Sequence, residues 1–505
     1  MTKTEAIMNI ATKRGFFYPS SEIYGQRAGF WTYGSLGLKI KQKWENLWRS
    51  YFIGMDPNYY EIEDCVIMPK KVFESSGHLK HFNDPLTECT KCKMRFRADT
   101  VVEEACKVDV NGLSTDALTK LIIENKIKCP NCKGTLSEVR VFNMMFPLNV
   151  GAVGNDEVMY LRPESAQSPY LAFKREFEAT RRKLPLGLAV LGRVFRNEIS
   201  PRQGFFRLRE FVQAELQIFF DARKINEHAH FDDIANVELC ILENGAKGKV
   251  KKISCRDMND RLKFPKFYVY HMAMIQRFYV NILKIPEAKF RFRELSAEER
   301  AFYNKIHFDM ELDLETLGGW KECGGLHFRG THDLGGHQEG SGEKLEVTLD
   351  IAGKTEKLLP SVLELSFGVD RNIWALLDVF YKEEQERAYF MFPAVIAPID
   401  TAVFPLMNKE KIPELAEKTF NDLRKEFTVF YDDGGSIGRR YRRQDEVGTN
   451  FGITVDFQSL EDHTVTVRDR DSMEQVRVKI DDLLEALQNI ISGKKELHQI
   501  GKKVE

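Results

Sequence analysis

Arg196 and Glu198 stand two residues apart, with Asn197 between them, at the end of a run that alternates like a β-strand, Leu188 to Glu198. Side chains two apart on a strand share a face. The pair therefore offers a guanidinium suited to a phosphate and a carboxylate suited to an amine or a metal. Arg371 follows Gly368 at the start of an apolar helical run. A glycine there lets a ligand approach the backbone, and first-turn amides favour anions; a plain turn with Arg371 paired to a carboxylate is the equal alternative. Glu322, beside Cys323, lies in the Gly-rich stretch GGWKECGGLHFRGTHDLGGH. Its histidines, His327, His332 and His337, are off helical metal spacing and read as structural. Cys89-Thr-Lys-Cys92 and Cys129-Pro-Asn-Cys132 are two CxxC pairs, suited to a tetrahedral zinc site. The stretch between them exceeds the roughly 15 to 20 residues of the usual ribbon, so four reduced thiols remain a second reading.

The elements that must position these groups follow from periodicity. From Leu36 to Phe52, apolar Ile40, Trp44, Leu47, Trp48 and Tyr51 fall on one helical stripe among charged residues. A second strand, Glu210 to Phe220, returns after the loop ISPRQGFFRLR; on it Gln213, Glu215 and Gln217 share one face and Val212, Ala214, Leu216 and Ile218 the other. Such a polar face is either a solvated surface or a binding floor. The run Ser361 to Phe367 puts Glu364 and Ser366 opposite Leu363, Leu365 and Phe367, before a helix from Ile373 to Phe380. From about Ala388 onward, strands expected at 388–398, 428–432 and 451–457, then 463–470 and 475–480, alternate with helices as in a separate α/β domain. Its helix Ser436 to Val447 carries Arg439, Arg440, Arg442 and Arg443, suited to RNA phosphates or to a solvated face paired with nearby aspartates.

Composition narrows the classes. The chain has 505 residues, 43% hydrophobic and 30% charged, with 74 basic against 75 acidic side chains, so a nucleic-acid contact must be local. Its apolar stretches are shorter than the ~20 residues of a membrane span, and the N-terminus lacks a signal-peptide core, so a cytoplasmic protein is expected. Neither GxxxxGK[ST], a strand leading into GxGxxG, GxSxG nor HExxH occurs, which argues against the P-loop, dinucleotide-binding, serine-hydrolase and zincin classes.

Phe195-Arg196-Asn197-Glu198, with its loop and returning strand, resembles motif 2 of the class II aminoacyl-tRNA synthetases. Ser366-Phe367-Gly368-Val369-Asp370-Arg371 resembles motif 3, and the helix from Leu36 with the strand running to Pro69 resembles motif 1. The segments SSEIYG, WTYGSLG, SSGHLKHFNDP, FRAD, RPES, ISPRQGFFRLREF and SIGRRYRRQDEVG narrow this resemblance to the glycyl-tRNA synthetase family of the dimeric archaeal and eukaryotic type. The family usually has other residues at Ser165, Ser168, Leu365 and Asn450; Ser165 keeps the hydroxyl and Leu365 points to the apolar face, so neither removes a liganding group, whereas Asn450 bears on tRNA affinity.

The resemblance implies an α+β fold: a six- or seven-stranded antiparallel catalytic sheet flanked by helices, a C-terminal α/β anticodon-binding domain, and inserted subdomains. It places the catalytic domain at 1–87 and 141–385, an insertion with the CxxC pairs at 88–140, another at about 221–305, and the anticodon domain at 386–505, all in a homodimer. The implied reaction joins glycine and ATP to glycyl-adenylate and pyrophosphate, with Mg²⁺, then moves glycine to the 3′ end of tRNA(Gly). Arg196, Glu198 and Arg371 would be catalytic. With them Asn197, Phe206, Arg207, Leu208, Arg209, Glu210, Phe211, Glu322, Cys323, Gly368, Val369 and Asp370 would surround ATP. Arg97, Glu164, Phe211, Val212, Gln213, Ala214, Glu215, Glu364, Leu365, Ser366, Phe367 and Gly368 would surround glycine. Segments 100–128 and 221–305 would touch the acceptor arm of the tRNA.

Overall fold

In the computed structural model, residues 1–504 are described except 109, 111, 152–156, 202–203, 247, 297–298, 301–303, 352–353 and 386. Arg202 and Gln203 of the loop joining the two long strands thus lie outside the described residues, as do parts of segments 100–128 and 221–305.

The alternating runs become adjacent strands of one sheet. Leu186–Phe195 pairs antiparallel with Glu210–Phe220, which pairs with Ser361–Gly368, then Gly319–Gly330, Ile306–Leu314 and Phe290–Glu294. Tyr59–Glu61 adds a parallel strand at one edge, and Glu238–Leu242 with Lys251–Ser254 extends the other. The sheet therefore has nine strands, more than the six or seven expected. The surplus comes from segment 221–305, which completes the sheet edge and supplies the helix Lys266–Arg277, buried along most of its length. An apolar helix facing an apolar sheet is a core element, so the described part of this segment, expected as an insertion, packs into the core of the main sheet.

Leu363, Leu365, Phe367, Ala214, Leu216 and Ile218 bury against the helices Ser35–Phe52, Lys266–Arg277 and Val369–Phe380. Phe367 meets Phe52 at 4.9 Å and Trp48 at 6.1 Å between ring centroids. The helix Ser35–Phe52 lies so close to the preceding chain that a Cβ at Gly37 would sit 1.9 Å from the Phe16 carbonyl. The opposite face of the sheet is partly roofed by the helix Gln167–Ala179, whose Tyr170, Phe173 and Phe177 pack with Phe219 and Leu188.

Residues 83–143 form a small subdomain: three strands, Asn83–Glu88, Arg95–Arg97 and Arg140–Asn143, with helices Ala98–Cys106 and Thr115–Glu124 over a core that includes Phe96, Leu118 and Ile122. At the C-terminal end a six-stranded mixed sheet runs in the order Val429–Tyr431, Thr401–Pro405, Phe451–Val455, Thr464–Asp469, Gln475–Lys479, Lys502–Lys503. Its first strand in the chain is Thr401–Pro405, not 388–398; only Ala388–Phe390 of that run is a strand, paired with Tyr381–Glu383 outside this sheet. Pro393 and Pro398 lack the N–H that a ladder needs.

The N-terminal helix Lys3–Arg14 spans the two large domains. Lys3 pairs with Asp378 at 3.2 Å and Arg14 with Glu446 at 2.6 Å. Among the described residues no helix is long and apolar enough to cross a membrane.

Candidate active site and candidate metal centre

The polar face of the sheet is buried. Glu215, Glu364, Gln213 and Gln217 are each less than a tenth exposed, so the face is not a solvated surface. In register, Glu215 faces Ser366 and Gln217 faces Glu364 across one strand pair. Ser366 and Ser165 each donate a hydroxyl to Glu215, at 2.7 and 2.8 Å. Glu364 accepts from Arg329 at 2.8 Å and Gln217 at 2.9 Å. Glu164 accepts from Gln167 at 2.8 Å, with His78 Nε2 at 3.4 Å and Arg329 at 3.8 Å.

Three carboxylates gathered out of water cannot all ionise freely. Burial and the charges of Glu364 and Glu164 push Glu215 up to about 8. For Glu364 burial acts the same way but is outweighed by Arg329 and His327, which hold it at about 2. Burial of Glu164 is likewise outweighed, chiefly by His78, so its pKa lies below the ordinary carboxylate range. The result is a negative chamber with one proton to give up, suited to an ammonium group.

A second cleft adjoins it, bordered by Arg196, Glu198, Phe206, Leu208, Phe211 and Arg371. The strand Leu186–Phe195 stops one residue before Arg196, so Arg196 and Glu198 follow the strand and do not alternate along it as expected. The Glu198 N–H turns back to the Arg196 carbonyl. Arg196 lies over the rings of Phe82 and Phe211 at 5.5 and 5.3 Å and donates to the Pro163 carbonyl at 3.0 Å. Glu198 pairs with Arg207 at 2.6 Å, and its carbonyl accepts from Arg209. Arg371 lies 5.2 Å over Phe206 and 3.3 Å from the Glu322 carboxylate.

Other expected residues are placed apart from these clefts. Ala214, Leu365, Phe367, Val369 and Cys323 are buried in the apolar core, and Val212 is packed against it. The exceptions are Gly368 and Asp370, which line the second cleft; Asp370 is buried there and accepts from the Tyr33 hydroxyl and the Val212 N–H, both at 2.6 Å. Arg97 is held by Asp99 and Asp84 at 2.6 and 3.2 Å. Burial works against its charge, but Asp99 and Asp84 outweigh it and favour the cationic form. Asn197 gives its N–H to the Met144 carbonyl, and Glu210 pairs with Arg193. In the C-terminal domain Arg439 is exposed. Arg440 is instead buried, donating to the Pro405 and Gly435 carbonyls, and Arg443 pairs with Asp432 at 2.6 Å. Burial removes Arg440 from the surface expected to meet RNA.

His78, Tyr170, His327 and Arg329 were missed. His327 and Arg329 alternate with Leu326 and Phe328 in GGLHFRG, a strand signal masked by the surrounding glycines.

Cys89, Cys92, Cys129 and Cys132 bring their sulfur atoms within 4.8 Å of one another. In each CxxC turn the residue after the second Cys gives its N–H to the first Cys carbonyl, Lys93 to Cys89 and Lys133 to Cys129, both at 3.0 Å. The Cys92 N–H, followed by other amides and thiols of the cluster, lowers the Cys89 thiol to about 6. A donor set of four soft sulfurs in paired turns fits a structural Zn²⁺.

Residues 152–380 match the family model described as tRNA synthetase class II core domain (G, H, P, S and T), and residues 394–490 match the anticodon binding domain. The glycine-tRNA ligase of Thermococcus gammatolerans is 40% identical over 97% of this chain and 99% of its own. Those of Aeropyrum pernix (98% of each chain) and Methanococcus vannielii (96% of this chain, 99% of its own) are 38% and 35% identical. The chain belongs to the glycine-tRNA ligase family. It is a class II aminoacyl-tRNA synthetase, an ATP-dependent enzyme of the archaeal type.

Proposed function

We propose that the chain makes glycyl-tRNA(Gly) on the polar floor of its nine-stranded sheet, glycine in the chamber of Glu164, Glu215 and Glu364 and ATP in the cleft of Arg196 and Arg371. The observation that carries this is the chamber itself: three buried carboxylates, one of them holding its proton up to about pH 8, packed with the hydroxyls of Ser165 and Ser366, a setting suited to an ammonium. A methyl group on the substrate's α-carbon would have to break into that packing, a steeper filter than the ~1 to 3 kcal/mol by which a pocket favours a larger ligand over a smaller one.

The glycine carboxylate attacks the α-phosphorus of ATP, and pyrophosphate leaves. No enzyme nucleophile is needed, so catalysis reduces to alignment and charge neutralisation. Arg196 joins the glycine carboxylate and the α-phosphate, Arg371 takes the γ-phosphate, Phe206 and Leu208 cover the adenine, and Glu198 and Arg207 border the nucleotide. Glu322 would help hold the Mg²⁺ bound to ATP, which would neutralise phosphate charge. A terminal ribose hydroxyl of tRNA(Gly) then attacks the adenylate carbonyl, releasing AMP. The C-terminal domain meets the anticodon, with Arg439 as the leading phosphate contact. In this reading residues 1–87 and 141–385 form the catalytic unit, now including 221–305, with the zinc-bearing subdomain at 88–140 and the anticodon domain at 386–505. Two copies join through 36–69, whose strand Tyr59–Glu61 ends the main sheet, and the enzyme works in the cytoplasm.

ATP–pyrophosphate exchange with each of the twenty amino acids, before tRNA is added, tests the reading. Exchange with glycine alone is expected; exchange with another amino acid overturns the chamber assignment.

A further inference from the structure

His307, His327, Glu364 and Gln217 occupy one row running straight across four neighbouring strands, each the register partner of the next. Along that row the side chains are joined. His327 Nδ1 lies 2.5 Å from Glu364 Oε1, His327 Nε2 lies 2.9 Å from His307 Nε2, and His307 Nε2 lies 3.0 Å from Asp309 Oδ1. Arg293 donates to Asp309 at 2.9 Å and anchors the far end. The rings have room because position 325 is glycine: a Cβ there would sit 2.4 Å from His327 Nε2.

We propose that His327 is a positioning residue for glycine selection, fixing the orientation of Glu364, and that His307 sets the His327 tautomer. The inference rests on the reading of Glu364 as a wall of the glycine chamber.

The proton accounting supports these roles. Glu364 needs a donor at Oε1, so His327 must carry its proton on Nδ1, which leaves Nε2 with a lone pair. The neighbouring His307 Nε2–H satisfies that lone pair, with Asp309 alongside. A ring whose second nitrogen is held in this way has its tautomer fixed. The other oxygen of Glu364 accepts from Arg329 and Gln217. With donors on both oxygens the carboxylate plane cannot turn, so its remaining lone pair keeps one direction. A ligand whose only handle beyond its carboxylate is an ammonium depends on that direction.

The test compares His327→Leu, His327→Asn and His307→Phe in ATP–pyrophosphate exchange, with Glu364→Gln as the reference. Asparagine retains an N–H near the Nδ1 position; leucine does not. His327→Leu is expected to raise the glycine KM roughly tenfold or more, with the ATP KM and kcat within about twofold, and His327→Asn to restore most of the loss. His307→Phe touches neither Glu364 nor the chamber, and should raise the glycine KM several-fold; it carries the test if His327→Leu fails to fold. An unchanged glycine KM in a folded His327→Leu or in His307→Phe overturns the inference, as does an equal rise in the ATP KM. If Glu364→Gln itself leaves the glycine KM unchanged, the chamber reading has failed instead.

Discussion

Glu215 and Glu364 are diagonal neighbours across one antiparallel strand pair, and the fold gives them opposite acidities. Burial and two nearby carboxylates bring Glu215 up to about 8; Arg329 and His327 overcome burial to keep Glu364 at about 2. One acid of the pair is thus poised to lose a proton to solvent when a cation enters.

That poise gives glycine binding a pH dependence with a definite sign. Below pH 8 the free chamber holds a proton on Glu215, and an ammonium must expel it. The glycine KM is therefore expected to fall as pH rises, by up to about tenfold between pH 6 and 7, and to level off above 8. Pyrophosphate exchange over this range measures it; a flat profile, or a slope that survives Glu215→Gln, would refute the assignment.

Arg371 leans on Phe206 and reaches Glu322, with its guanidinium at the mouth of the nucleotide cleft. Arg371→Ala is expected to cost adenylate formation roughly 100-fold, about 3 kcal/mol in the barrier, while transfer from preformed glycyl-adenylate to tRNA stays intact. Single-turnover measurement of each step separates them, and equal losses in both would remove the phosphate role.

The four-sulfur cluster predicts about one zinc per chain by elemental analysis. Cys129→Ser should lose the metal and open residues 88–140 to protease, since three remaining thiols cannot complete the tetrahedral site and the metal's binding energy is part of the subdomain's folding energy. A metal-free preparation with this subdomain still protected would end the proposal.

Arg439 and Arg440 are adjacent in the chain but differ in setting, one exposed and the other buried against main-chain carbonyls. Arg439→Ala should raise the tRNA KM and leave the melting temperature alone. Arg440→Ala should lower the melting temperature, because buried carbonyls lose their donor. The reverse pattern would mean that the helix Ile437–Val447 presents a different face to RNA.

Much of the site was legible because a strand with one polar and one apolar face announces both. Glu215 with Gln213 and Gln217, and Glu364 with Ser366, were sorted by alternation alone. Where a strand is buried on both faces the signal vanishes: Thr401–Pro405 is buried throughout and was overlooked in favour of the apolar run before it. The end of Leu186–Phe195 was overrun because Arg196 and Glu198 continue the alternation in sequence while the chain already turns. His327 was dismissed because its spacing was judged against helical metal sites, whereas its partners, His307 and Glu364, stand on neighbouring strands, a relation that local spacing does not encode.

The row of His307, His327, Glu364 and Gln217 draws each member from a different strand, spread from residue 217 to 364. No short fragment of the chain can hold such a row, and loop-closure entropy must be spent before its long-range contacts form. The glycine chamber consequently comes into being only when the sheet closes and is lost when the sheet opens. During synthesis the chain cannot recognise its amino acid until residue 366 has left the ribosome and docked. Afterwards, occupancy by glycine reports on cooperative folding of the whole catalytic unit as directly as any spectroscopic probe.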